Sequence, residues 1–349
     1  MNRFIYICIF FLVGSLWAAD GERDWRRLVD LRGQWRFTIG DNMNWSDPEF
    51  DDSDWVTIFA PSNWEDEGFP GYDGYAWYRK KFRVNSVENL YVLLGTIDDV
   101  DQVFINGHLI GFSGQFPPDF FTGYNVDRSY PIPEVFLKKN AENTIAIRVY
   151  DAELEGGLVR GRLGIYEKQN VPHLIKSLAG YWKFKTGDNE ERAAAEYDDS
   201  QWQSILAPMA WESQGYEYDG YAWYRLHFSL DYKYKDEKLV LLLGKIDDID
   251  ETYLNGKFIG RTGYISDNPR RIHVDDEWLA YRAYKMDNEN IYFGRDNVIA
   301  IRVFDGLIQG GIYEGPLGIV TYDEYLKWSK RENIKKDIIY DLFHFFEWN

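Results

Sequence analysis

Cysteine is nearly absent: the 349 residues hold one, Cys8, and only five histidines. A single thiol excludes an internal disulfide framework and any cysteine-built metal centre. His108, His173, His227, His273 and His344 are scattered without ligand spacing, so no metal and no cofactor is expected. Positive charge is also scarce, with 39 Lys and Arg against 57 Asp and Glu, a net charge of −18. Such a chain repels nucleic acid and anionic membrane surfaces, and no basic stripe offsets this. Long apolar runs are missing beyond the first 19 residues, so no membrane-spanning helix is expected after them.

Those first residues read as a secretory signal. Arg3 gives a positive start, Ile5 to Val13 an apolar run, and Leu16-Trp17-Ala18-Ala19 a small-residue exit. Cleavage near Ala18 or Ala19 would remove Cys8 and export the chain to a periplasm or an extracellular space. Aromatic residues are abundant instead, with 14 Trp and 26 Tyr, more than cores need, so some rings are expected to face solvent or a ligand.

The chain then repeats itself. Asp73-Gly74-Tyr75-Ala76-Trp77-Tyr78-Arg79 returns unchanged as Asp219-Gly220-Tyr221-Ala222-Trp223-Tyr224-Arg225. Trp64-Glu65 answers Trp211-Glu212, Ile97-Asp98-Asp99-Val100-Asp101 answers Ile246-Asp247-Asp248-Ile249-Asp250, and Asn106-Gly107 answers Asn255-Gly256. Arg148-Val149-Tyr150-Asp151 answers Arg302-Val303-Phe304-Asp305, and the pairs Gly156-Gly157 and Gly310-Gly311 close the sets. A period of about 150 residues means a duplicated domain.

Within each copy the patterning is that of strands. Trp35 and Phe37 alternate with charges, as Ile145, Ile147 and Val149 alternate with Ala146, Arg148 and Tyr150, predicting half-wet strands. Tyr91 to Leu94 reads as a short buried strand ended by Gly95, and Asp51 to Trp55 as a single helical turn. Asn106-Gly107 between apolar runs specifies a tight hairpin. The predicted fold is all-β: two tandem jelly-roll sandwiches, residues 31–168 and 177–321, after a signal at 1–19. Residues 322–349 read as a helical tail, with Ile334, Ile338, Leu342 and Phe345 at amphipathic spacing; packing on the second sandwich is expected, with a partner-binding helix as the alternative.

This ordered set of motifs resembles the galactose-binding-like jelly roll, the sugar-binding, non-catalytic module of family 2 glycoside hydrolases of the β-galactosidase and β-glucuronidase type. It is similar as well to the sandwich module of sialate O-acetylesterases. The resemblance covers nearly all the chain after the signal, once per repeat, and includes no catalytic domain; no catalytic residue is assigned. It implies an exported carbohydrate-binding protein, accessory to or derived from such a hydrolase. Its implied partners are a glycan and a separate catalytic hydrolase chain. The ligand residues it implies are Trp64, Glu65, Asp73, Tyr75, Trp77, Arg79 and Asp151 in the first copy. In the second they are Trp211, Glu212, Asp219, Tyr221, Trp223, Arg225, Asp305, Tyr313 and Glu314. Aromatic faces suit pyranose C–H faces, and carboxylates and arginine suit hydroxyls.

Other readings stand beside this one. Carboxylates such as Glu65, Asp73, Asp99 and Asp151 would make the chain itself a glycoside hydrolase or carbohydrate esterase if two of them flank a cleft. A protein-interaction module would use the same loop face. Trp77 and Tyr78 begin a strand, so one of them points inward, and Arg79 and Arg148 are open to structural pairing with Asp98, Asp99 or Asp101. Asp99-Val100-Asp101 lacks the remaining ligands of a calcium loop. The second copy has Tyr313-Glu314 where the first has Val159-Arg160, so the second is expected to keep the better sugar face.

Overall fold

The computed structural model describes residues 24–265, 275–307 and 309–331. The signal segment and the positions that carry the tail's amphipathic spacing lie outside the described residues. Two compact units divide between Asn170 and Val171.

The first unit runs β1 (Trp25–Asp30), β2 (Gly33–Ile39), β3 (Val56–Ala60), β4 (Gly74–Arg83), β5 (Leu90–Asp98), β6 (Val100–Ile105), β7 (His108–Ser113), β8 (Asp127–Pro131), β9 (Glu142–Asp151), β10 (Gly157–Arg160) and β11 (Gly164–Lys168). Its six-stranded sheet has the order β3-β2-β4-β9-β6-β7, and its second sheet β1-β11-β5-β10 with β8 also on β5. The second unit runs β12 (Lys176–Ser177), β13 (Gly180–Thr186), β14 (Gln203–Ala207), β15 (Gly220–Ser229), β16 (Leu239–Asp247), β17 (Ile249–Leu254), β18 (Lys257–Thr262), β19 (Tyr281–Met286), β20 (Asp296–Asp305), β21 (Gly311–Thr321) and α1 (Tyr322–Arg331). Its six-stranded sheet, β14-β13-β15-β20-β17-β18, reproduces the first unit's order strand for strand. The predicted all-β sandwich architecture is therefore what the chain adopts, with a helix after the last strand.

Strand alternation decides which way the repeated heptapeptide points. On β4, Ala76 and Tyr78 face the inter-sheet core, where Tyr78 packs on Trp35 and Phe37. Trp77 and Arg79 face the other side, where residues 41–55 fold over the sheet and bury Trp77 with Phe104, Ala146, Trp45 and Trp55. Trp223 is covered likewise by Trp202, Tyr197 and Tyr253. That second, outer core explains why β9 departs from half-wet alternation: Ala146 is as buried as Ile145 and Ile147. Asp51 to Trp55 forms a hydrogen-bonded turn without becoming a helix, the Trp55 N–H meeting the Asp52 carbonyl at 3.1 Å. A separate 3-10 turn at Met43–Ser46 is capped by the Asn42 side chain, which accepts from the Asn44 N–H. Gly95 does not end its strand. It bulges β5 at φ 60°, where a Cβ would lie 2.0 Å from the Arg160 carbonyl. The Asn106-Gly107 hairpin forms as predicted, with φ of 49° and 84°. In the second unit α1 presses Tyr325 and Trp328 onto Val240, Leu242 and Val320.

Candidate functional site

Most of the rings and guanidinium groups expected at a sugar are scaffold. Arg79 is buried, with Nε on Asp52 at 2.8 Å and its other nitrogens on the carbonyls of Trp45, Asp47 and Phe50. Arg225 repeats this on Asp199 at 2.7 Å and on four carbonyls between Arg192 and Tyr197. Arg148 pairs with Asp41. Neither arginine therefore pairs with Asp98, Asp99 or Asp101: on β4 and β9 both point to the outer core, whose covering loop supplies the acids. Trp64 is fully buried and donates its indole N–H to the Tyr72 carbonyl, and Trp211 does the same to Tyr218. Trp77 and Trp223 are also fully buried. Glu65 accepts from the Gly156 N–H and Glu212 from that of Gly310, so these carboxylates brace the closing glycine loops.

The second copy's Tyr313 and Glu314 are engaged too. The Tyr313 hydroxyl donates to the Trp278 carbonyl at 2.6 Å, and Glu314 holds Lys245 and the Tyr281 hydroxyl, each at 2.8 Å. Asp73 and Asp219 are exposed, and Tyr75 and Tyr221 partly so. Tyr75 stacks on Phe116 at 5.8 Å and carries the Arg148 guanidinium 4.8 Å from its ring centre.

What the fold does bring together is acidic. Asp98 ends β5, Asp99 forms the corner into β6, and Asp151 ends β9; one carboxylate oxygen from each lies within 4.8 Å of the others. Asp247, Asp248 and Asp305 form the same triad in the second unit. Both Asp-Asp peptide bonds are cis. Burial, with the neighbouring Asp99 and Asp98 charges and those of Asp73 and Glu65, pushes the Asp151 carboxyl up to about 7. Asp305 is raised to about 7 by burial and by Asp248, Glu212 and Asp219. Burial and the adjoining acid also raise Asp98, to about 6, and Asp247, to about 8. Asp101 belongs elsewhere. It is fully buried on Arg128 at 2.6 Å and on the Tyr130 hydroxyl at 2.8 Å.

Beside the first triad lies an aromatic loop, residues 114–126, that sequence reasoning did not single out. Thr122 donates its hydroxyl to the Asp99 carboxylate, and the Gly123 N–H bonds the Asp99 carbonyl at 2.9 Å. Phe120 packs on Tyr150, next to Asp151, while Phe121 is 69% and Tyr124 48% exposed. The signal was there in the run Phe116-Pro117-Pro118-Asp119-Phe120-Phe121, whose three rings have no apolar periodicity to bury them. Chemically the region offers ring faces beside clustered carboxylates at one end of the sandwich.

Residues 40–155 match the family described as "Beta-galactosidase second all-beta domain". The chain is 30% identical over 179 residues to β-galactosidase BoGH2A of Bacteroides ovatus, covering 46% of this chain and 18% of that protein. It is 28% identical over 119 residues to a β-galactosidase of Vibrio cholerae, 26% of this chain and 12% of that one. The chain thus spans less than a fifth of the curated relatives it matches. A crystal structure of Bacteroides uniformis β-glucuronidase aligns at 15% identity over 82% of this chain and 28% of that one, with a TM-score of 0.35. Over residues 40–155 the first unit is thus similar to the all-β domain of β-galactosidases; the likeness to sialate O-acetylesterase modules is not carried by these matches.

Proposed function

We propose that this chain, whose residues 40–155 match the family described as "Beta-galactosidase second all-beta domain", is an exported, non-catalytic carbohydrate-binding protein, accessory to or derived from a family 2 glycoside hydrolase. The observation that supports this is the pairing of exposed rings with carboxylates at the Asp99 corner. Phe120, Phe121 and Tyr124 offer faces for pyranose C–H groups, while Asp73, Asp98 and Glu65 offer acceptors for hydroxyls. The relatives named β-galactosidase suggest a β-galactoside. The concentration of carboxylates favours a neutral sugar over a uronate, which like-charge repulsion would disfavour.

Calorimetric titration of the purified chain with β-galactoside oligosaccharides tests the reading, with the matching glucuronides as a second arm. Binding of the neutral sugar, with no product from chromogenic glycosides or acetyl esters, is the expected result. Turnover lost in Asp151→Asn would favour a hydrolase instead.

A further inference from the structure

Strand packing does not account for either acidic triad, and the sugar reading draws on the first only through Asp98 as an acceptor and on the second not at all. Three carboxylates held within 4.8 Å of one another repel, and removal from water strengthens the repulsion. Among the described residues no Lys, Arg or His forms an ion pair with any of the six aspartates. The guanidinium group that acts on Asp98 is committed elsewhere: Arg128 bonds Asp101 and the carbonyls of Gly123, Val126 and Asp99. Arg282 repeats that arrangement on Asp250 and the carbonyls of Glu277, Ala280 and Asp248.

A second observation points to a missing partner. Asp151 is fully buried, yet neither of its carboxylate oxygens has a hydrogen-bond partner. The buried Asp305 leaves its Oδ2 without one at the equivalent place. A buried carboxylate oxygen without a donor is strongly disfavoured, and here the arrangement occurs in both units.

We propose that each unit binds one hard divalent cation of the Ca²⁺ type, held by Asp98, Asp99 and Asp151 in the first unit and by Asp247, Asp248 and Asp305 in the second. The donors are all carboxylate oxygens with no imidazole or thiolate, which selects hard cations over zinc or copper. Oxygens within 4.8 Å of one another fit around one ion whose ligands stand about 2.4 Å away on opposite sides. The corner aspartates are already oriented, since Asp99 Oδ2 accepts from the Ala152 N–H at 3.1 Å and Asp248 Oδ2 from that of Gly306 at 3.0 Å. Asp98 and Asp247 are only half-buried, which leaves a side where water completes the coordination shell. In the first unit the ion would tie the ends of β5 and β9 together and, through Asp99, steady the aromatic loop. The proposal stands independently of the sugar reading.

The test uses the full chain, stripped with EDTA and titrated with CaCl₂ at neutral pH, by calorimetry and by thermal unfolding, with MgCl₂ as a second arm. Two Ca²⁺ per chain are expected, one for each triad, with a rise in Tm that EDTA reverses and affinity at least about tenfold above that for Mg²⁺. Asp151→Asn and Asp305→Asn should each remove one ion, and the double variant both. Asp98→Asn, at a half-buried position, checks the first site should a buried variant misfold. No heat and no change in Tm up to about 5 mM Ca²⁺ in the wild-type chain would overturn the proposal. So would a response to Mg²⁺ without one to Ca²⁺, or full Ca²⁺ binding by the folded double variant.

Discussion

The indole of Trp64 lies so close to Gly156 that a Cβ there would meet its Cζ2 at 2.2 Å, and Trp211 stands to Gly310 at the same 2.2 Å. Backbone bonds clamp both pairs, with the tryptophan N–H on the glycine carbonyl at 3.0 Å each time. The closing glycines thus recur because a buried ring occupies the space of their side chains. Gly156→Ala and Gly310→Ala should each destabilise their unit by about 1–3 kcal/mol, as overpacked cores do. Urea unfolding measures this; a loss under about 0.5 kcal/mol would mean that the indole moves aside.

Arg79 gives the second prediction. Its side chain is sealed beneath residues 45–52, and truncation would strand the Asp52 charge and the carbonyls it serves. Arg79→Ala should cost about 3–5 kcal/mol, and Arg225→Ala a similar amount. Arg79→Lys should not rescue, since a single ammonium cannot reach the set that the planar fork spans. Sugar affinity per folded molecule should be unchanged, and a selective loss of affinity in a fully stable Arg79→Lys would return the residue to the ligand site.

Much of this was legible in the sequence. The repeat, the strand periodicity and the Asn-Gly turns point to two all-β units, because apolar alternation and turns place the strands along the chain. The order β3-β2-β4-β9-β6-β7, by contrast, depends on long-range pairing that no local pattern carries. The site was less legible. Sequence adjacency groups Asp99 with Asp101, but those side chains go separate ways: Asp101 lies on β6 under Arg128, whereas Asp99, at the corner, turns toward Asp151. That partnership joins positions 52 residues apart, and only strand pairing of β4, β6 and β9 brings them together. Identity between the copies marked Trp77 and Arg79 as important without saying why, and the reason is the outer core under residues 41–55.

The third prediction concerns pH with divalent cations removed by chelator. Asp151 and Asp305 titrate near 7 in the folded chain, against an ordinary carboxyl near 3.8. Folded protein then holds more protons than unfolded protein between those values, so stability falls as pH rises. The contribution is fully present below about 3.8 and lost as pH climbs through 7. Asp73, Glu65, Asp98 and Asp99 face Asp151, while Glu212, Asp219 and Asp248 face Asp305, and all carry the same sign. Chelated wild type should lose Tm from pH 5.5 to about 8, and Asp151→Asn with Asp305→Asn should flatten that slope. A slope unchanged in the double variant would place the titrating groups elsewhere.

The last prediction separates the aromatic loop from the scaffold. Phe121 and Tyr124 are largely exposed, so removing their rings takes little from any core. Phe121→Ala and Tyr124→Ala should therefore leave stability within about 0.5 kcal/mol of the wild type, as surface changes do. If these rings stack on a sugar, each variant should weaken β-galactoside binding about fivefold to tenfold, roughly 1–1.4 kcal/mol. Trp77→Phe should do the reverse. Its indole is buried and donates to Asp41 at 3.1 Å, so the cost should appear in unfolding, with sugar affinity kept. Calorimetry and urea unfolding on the same three variants give a two-by-two contrast. Affinity unmoved in both loop variants and lowered in Trp77→Phe would put the ligand on the outer core face, away from the Asp99 corner.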